Sequence, residues 1–229
     1  MIVYSSPSRP TELKIVSFFA LFFFCLTSFS MSSDSVKIEM QTNKGTMKIV
    51  LYPETPLHQQ NFINLVKSKF YNGVVFHRVI KDFMAQAGDP NSKDSLYVGT
   101  LGNTSEGETI PSEILPIYHH KKGALCAARK GDNMNPTKAS SGSQFYIVQG
   151  RTFAENELIL FEARTGHIFP EEHKEVYKTL GGTPHLDGGY TVFGEVISGL
   201  EVVDLIAAVE TNMADRPLRD VRMSIRIID

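Results

Sequence analysis

Residues 76–89 read Phe76-His77-Arg78-Val79-Ile80-Lys81-Asp82-Phe83-Met84-Ala85-Gln86-Ala87-Gly88-Asp89. Two apolar-rich runs, residues 74–80 and 83–88, flank Lys81-Asp82, which is the pattern of two strands joined by a turn. Successive side chains on a strand point to opposite faces. If the chain turns between Ile80 and Phe83, then Arg78, Met84 and Gln86 share one sheet face.

The same pattern spreads in both directions. Upstream, residues 36–40 alternate apolar and polar, Asn43-Lys44-Gly45 is turn chemistry, and residues 47–51 alternate again, which predicts an antiparallel hairpin. Thr55-Pro56 predicts a helix start, with Thr55 as N-cap and Pro56 at the first helical position. Phe62, Leu65, Val66 and Phe70 then recur on one helical face. Downstream, further strands are predicted at residues 123–128, 144–149, 190–196 and 221–228, with a second amphipathic helix at 200–209. Many strands, few helices and no βαβ rhythm predict a mainly β fold, a closed antiparallel barrel with helices over its ends. Residues 91–118, rich in Gly, Ser, Asn and Glu, read as a long surface loop. Residues 155–180, where Pro170-Glu171-Glu172 leads a helical run, read as a helical insertion.

The chain has 229 residues, 42% hydrophobic and 21% charged, with a formal net charge of −2. Those values suit a globular protein, and without a Lys/Arg block they argue against a nucleic-acid partner. Arg9 and Lys14 precede an apolar run at residues 15–29, and Ser28-Phe29-Ser30 offers small residues before Met31. This is the layout of a secretory signal peptide over residues 1–30, too short for a membrane span. The expected mature domain is then 31–229, exported to the periplasm or the exterior. Translation starting at Met31 is the alternative and would leave the protein in the cytoplasm. Cys25 lies in the leader and Cys126 in a strand-like run, so neither a disulfide framework nor a Cys-based metal site is expected. His119-His120 resembles a metal pair, but neighbours on a strand face opposite ways and no carboxylate cluster accompanies them. No metal is expected.

Two further clusters accompany the first: Ser141-Gly142-Ser143-Gln144-Phe145-Tyr146-Ile147, and His185-Leu186-Asp187-Gly188 with Tyr190-Thr191-Val192-Phe193-Gly194-Glu195-Val196. Taken singly, each residue has a plainer reading. An arginine in a strand is usually a solvated surface residue, and Phe83, Met84, Leu186 and Phe193 would ordinarily be core. Together, the three clusters closely resemble the cyclophilin-type peptidyl-prolyl cis–trans isomerases, in particular bacterial-type members with insertions. The resemblance covers about residues 36–229 apart from the two insertions, and the string F-H-R-V-I-x-x-F-M-x-Q-x-G-D carries most of its specificity.

The resemblance implies a closed eight-stranded antiparallel barrel capped by two helices. It implies a monomer that rotates X–Pro bonds in client proteins without a cofactor and so assists the folding of exported chains. Arg78 falls at the catalytic arginine. Phe83, Met84, Leu186 and Phe193 fall at the proline pocket, and Tyr146 stands where the family usually has Phe. Gln86 falls where the substrate backbone is held, and Ala128 and Arg129 lie in the segment alongside the peptide. Tyr190 replaces the His of many members. His185 replaces a frequent Trp, which implies weak cyclosporin binding. His77 reads as structural. The residue types suit the chemistry, because amide rotation needs no nucleophile, only a seat for the ring and a donor that stabilises the twisted bond. A non-catalytic proline-peptide module on the same fold would be favoured if the Arg or the first pocket Phe were replaced, and neither is. A hydrolase or metalloenzyme would want a G-x-S-x-G or H-E-x-x-H motif, and neither occurs.

Overall fold

The computed structural model describes residues 1–3 and 34–228, so the expected signal peptide lies almost wholly outside the described residues. The chain divides into two units, Met1–Met31 and Ser32–Asp229. All that follows concerns the second.

Strands β1 (Val36–Thr42) and β2 (Gly45–Leu51) form the predicted hairpin, with Ile38 opposite Ile49 and Met40 opposite Met47. All four side chains are fully buried, so the alternation in the sequence is the alternation of core and outer face. The turn needs glycine at its exit. Gly45 has φ 139°, and a Cβ there would sit 2.7 Å from the Val202 side chain.

Helix α1 (Pro56–Lys67) starts where Thr55-Pro56 predicts, and it buries Phe62 and Val66 against the sheet. Its cap is not the expected one. Thr55 has φ −116° and ψ 63°, and its hydroxyl donates back to the Tyr52 carbonyl at 3.2 Å. The Glu113 carboxylate, on the long loop, accepts instead from the N–H groups of Leu57 and His58 at 3.1 and 3.0 Å. A carboxylate suits the positive end of a helix, so this loop residue does the work of an N-cap.

The other strands are β3 (Arg78–Ile80), β4 (Met84–Ala87), β5 (Ala124–Ala127), β6 (Phe145–Val148), β7 (Val192–Ser198) and β8 (Met223–Ile228). The sheet order is β3-β4-β6-β5-β7-β2-β1-β8, antiparallel throughout. Eight antiparallel strands match the expectation, but the closed barrel does not. The sheet curls through 207° and remains open, with β3 and β8 as its edges. Residues 74–77, expected to extend β3, contribute one isolated bridge, Val75 to Arg222, flanked by bonds from Phe76 N–H to Val221 O at 3.0 Å and from Met223 N–H to Val74 O at 2.9 Å. A few single bonds, such as Gly73 N–H to Met223 O at 2.9 Å, cross the gap in place of a ladder.

Helix α4 (Leu200–Ala207) packs Val202, Val203 and Ile206 into the same core as α1. The insertion forms two helices, α2 (Glu155–Thr165) and α3 (Glu171–Thr179), around a small cluster of Phe153, Leu158, Phe169 and Tyr177. Gly166, left-handed at φ 72°, stops α2, and Pro170 immediately precedes α3. Among the described residues, no helix is long and apolar enough to cross a membrane.

Candidate active site

The pleat sorts the side chains of β4, β5 and β6 into two sets. Ala85, Ala87, Leu125, Ala127, Phe145 and Ile147 point into the core, while Met84, Cys126, Tyr146 and Val148 form a second cluster on the outer face. Register then lines up the chemistry. Arg78 pairs with Gln86, Gln86 with Tyr146, and Tyr146 with Cys126, one row across four strands. The β3–β4 turn passes through Asp82 at φ 62°, and the Gln149 side chain accepts the Asp82 N–H at 2.6 Å. Ile80 sits opposite Met84, so Arg78, Met84 and Gln86 share a face.

That face carries a cleft of about 110 Å³ lined by Arg78, Phe83, Met84, Gln86, Ala128, Arg129, Tyr146, Leu186 and Tyr190. Arg78 is exposed, and its ion pair with Asp215 is a loose one, Nε to the carboxylate at 3.5 Å. Gln86 donates its amide to Gln144 Oε1 at 3.0 Å, and Gln144 is itself fixed by donating to the carbonyls of Gly102 and Thr104. Arg129 is a clamp. Its side chain is 5% exposed, donates to the Gly189 carbonyl at 2.7 Å, pairs with Asp132 at 2.6 Å and lies 4.4 Å above the Tyr190 ring.

Tyr146 brings a hydroxyl to the cleft wall, and a buried phenol needs a partner. It finds His120 Nε2 at 3.0 Å. His120 Nδ1 lies 2.7 Å from Asp187 Oδ1, and the other Asp187 oxygen accepts the Tyr177 hydroxyl of α3 at 2.6 Å. Burial alone would raise the Asp187 carboxyl, but the hydrogen bonds from His120 and Tyr177 outweigh it and hold the group below the usual carboxylate range. Burial pushes the Tyr146 phenol well up, so it stays protonated. Sequence reasoning missed His120, Asp187 and Tyr177 as a unit. The available signal was the hydroxyl at position 146.

Residues 37–226 match the family model described as cyclophilin type peptidyl-prolyl cis-trans isomerase/CLD. The chain belongs to the cyclophilin-type isomerase family. Among its relatives, a "Putative peptidyl-prolyl cis-trans isomerase" of Staphylococcus saprophyticus is 37% identical over 200 residues, covering 86% of this chain and 94% of the relative. A "Putative bifunctional phosphatase/peptidyl-prolyl cis-trans isomerase" of Streptococcus pyogenes serotype M6 is 39% identical over 190 residues, 81% of this chain. The chain spans only 37% of that longer protein. The crystal structure of a Cryptosporidium parvum cyclophilin type isomerase shares the fold, with a TM-score of 0.65 at 24% identity, over 86% of this chain and 99% of that one.

Two residues expected in the cyclophilin proline pocket or at its edge lie elsewhere. Phe193 is a core residue, 3% exposed, with its ring 5.5 Å from that of Phe62. The cause is strand parity. Val192 pairs with Cys126 and shares its outer-face cluster, so Phe193, one residue on, faces inward. His185 does not line the cleft either. It stacks on Phe83 at 5.5 Å and borders a neighbouring depression. His119 and His120 diverge as expected, with His119 stacked on His173 at 3.8 Å. No group of three potential metal ligands occurs among the described residues. His77 is buried away from the cleft, its two ring nitrogens without a hydrogen-bond partner among the described residues, and burial lowers its pKa to about 4.

Proposed function

We propose that this cyclophilin rotates X–Pro bonds by seating the proline ring against Phe83, Met84, Tyr146 and Leu186 while Arg78 stabilises the twisted amide. The observation that carries this is an exposed, loosely paired guanidinium on the same outer face as an apolar cleft. Rotation must break amide resonance, a barrier of about 18–20 kcal/mol. A guanidinium is always charged and offers several fixed donors, so it can bond the carbonyl as it turns and favour a pyramidal nitrogen. Gln86, with its amide held by Gln144, keeps a carbonyl oxygen for the peptide backbone. No step calls for a cofactor.

Arg78→Ala is expected to lower turnover at least tenfold, about 1.4 kcal/mol of transition-state stabilisation. Stability should hardly change, because an exposed pair like Arg78–Asp215 contributes about 0–1 kcal/mol. A folded Arg78→Ala protein with full turnover would sink the assignment.

We extend the proposal to location and to drug binding. The leader at residues 1–30 supports export, where the enzyme would assist folding of other exported chains. N-terminal sequencing of native protein should find a start near Met31 in a non-cytosolic fraction, and an unprocessed cytosolic product would contradict it. Cyclosporin should inhibit weakly, because an imidazole at position 185 offers less apolar area than an indole. Titrating wild type and His185→Trp should show roughly tenfold tighter inhibition of the variant. Equal inhibition would contradict the role given to position 185.

A further inference from the structure

Beside the cleft lies a second depression of about 350 Å³, to which the insertion contributes Phe161. Its walls are aromatic. Phe83 stacks on His185 at 5.5 Å, His185 on Phe161 of α2 at 6.2 Å, and Phe161 meets Phe153 edge-on at 5.6 Å. The Arg151 guanidinium covers the Phe153 ring at 4.0 Å and pairs with Glu157 at 2.7 Å, which holds that wall in place. One lining group is unexplained by the fold. Thr183 is 1% exposed, and its hydroxyl has no hydrogen-bond partner among the described residues. A buried hydroxyl without a partner is a net cost to the fold, and a donor arriving from a ligand would offset part of it.

Phe83 lines both the cleft and the depression, so the two adjoin across its ring. An extended peptide advances about 3.3 Å per residue. A chain with its proline against Phe83 therefore brings a residue one or two positions away over the His185 and Phe161 rings. We infer that this depression is a specificity subsite for an aromatic side chain with a hydrogen-bonding tip, tyrosine, within two residues of the substrate proline. Phe161 and His185 stack on its ring, and Thr183 answers its hydroxyl. This rests on the isomerase reading above and gives the insertion a part in choosing substrates.

The test is a set of short X–Pro peptides with Ala, Phe or Tyr at each of the two positions on either side of the proline. In wild type, Tyr should exceed Ala in kcat/KM by roughly fivefold at one position at least, carried by KM. Phe161→Ala should bring that ratio close to one and leave turnover of the all-Ala peptide unchanged, which also shows that the variant folds. Thr183→Val should remove the advantage of Tyr over Phe and keep that of Phe over Ala. It also decides the matter should Phe161→Ala lose all activity. Equal kcat/KM for Tyr and Ala peptides in wild type, or a preference that survives both variants, would overturn the inference. If wild type turns over no peptide, the isomerase reading has failed separately. Affinities of the same peptides, measured by NMR titration, then decide the subsite by the same ratios.

Discussion

The hydroxyl of Tyr146 meets His120, and behind His120 the buried Asp187 and Tyr177 continue the chain. Replacing Tyr146 by Phe removes the partner of His120 Nε2, 3.0 Å away, and leaves a buried ring nitrogen unpaired. Tyr146→Phe should therefore lower unfolding free energy by about 1–3 kcal/mol, seen as a lower denaturant midpoint at unchanged slope. Turnover should stay within a few-fold, because the ring that borders the cleft remains. An unchanged midpoint would show that the His120–Asp187–Tyr177 chain stands without Tyr146. At this scale the sequence discloses the departure at position 146 but not its answer, since the partners meet only through tertiary packing. Phe193 shows a different limit. A motif marks the residue, but strand parity decides which face it takes, and the bulge between Leu125 and Cys126 obscures that parity from sequence.

Elements with clear periodicity were legible, and those set by distant partners were not. The hairpin, α1 and the β3–β4 turn follow from alternation and turn chemistry. The cap of α1 does not, because it comes from Glu113 on a loop. The insertion also carries a pH dependence. His119 stacks on His173, burial lowers both, and His119 falls to about 4. Nearby Lys121 and His120 also disfavour charge on His119, while Asp187 favours it. Both folded pKa values lie below the ordinary 6.5. The unfolded chain thus takes up protons first as pH falls. Stability is full above that ordinary value and is lost as pH drops from there toward about 4. Each proton so linked contributes a slope of up to about 1.4 kcal/mol per pH unit. Unfolding curves across this range should be shallower in their pH dependence for His119→Phe than for wild type. Identical slopes would place the acid sensitivity elsewhere, with His77 the next group to vary.

Across the whole molecule, eight strands and two core-facing helices can be read from the sequence, but the degree of closure cannot. Closure depends on whether residues 73–77 and 221–223 form a ladder, and they meet in a single isolated bridge, Val75 to Arg222. The cleft is more robust, because it needs only the register of β3, β4, β6 and β5, and those strands sit side by side in the curled sheet. The central claim is that this cleft speeds rotation about X–Pro bonds. Exchange NMR on an Ala–Pro peptide, with a catalytic amount of the chain from Met31 onward, tests it with no coupled reaction. Uncatalysed exchange takes tens to hundreds of seconds. The account predicts exchange within about a second or faster, with the cis and trans populations unchanged and Arg78→Ala at least tenfold slower. Exchange at the uncatalysed rate beside a folded protein, even one that binds the peptide, would contradict it and leave a proline-binding module in place of an enzyme.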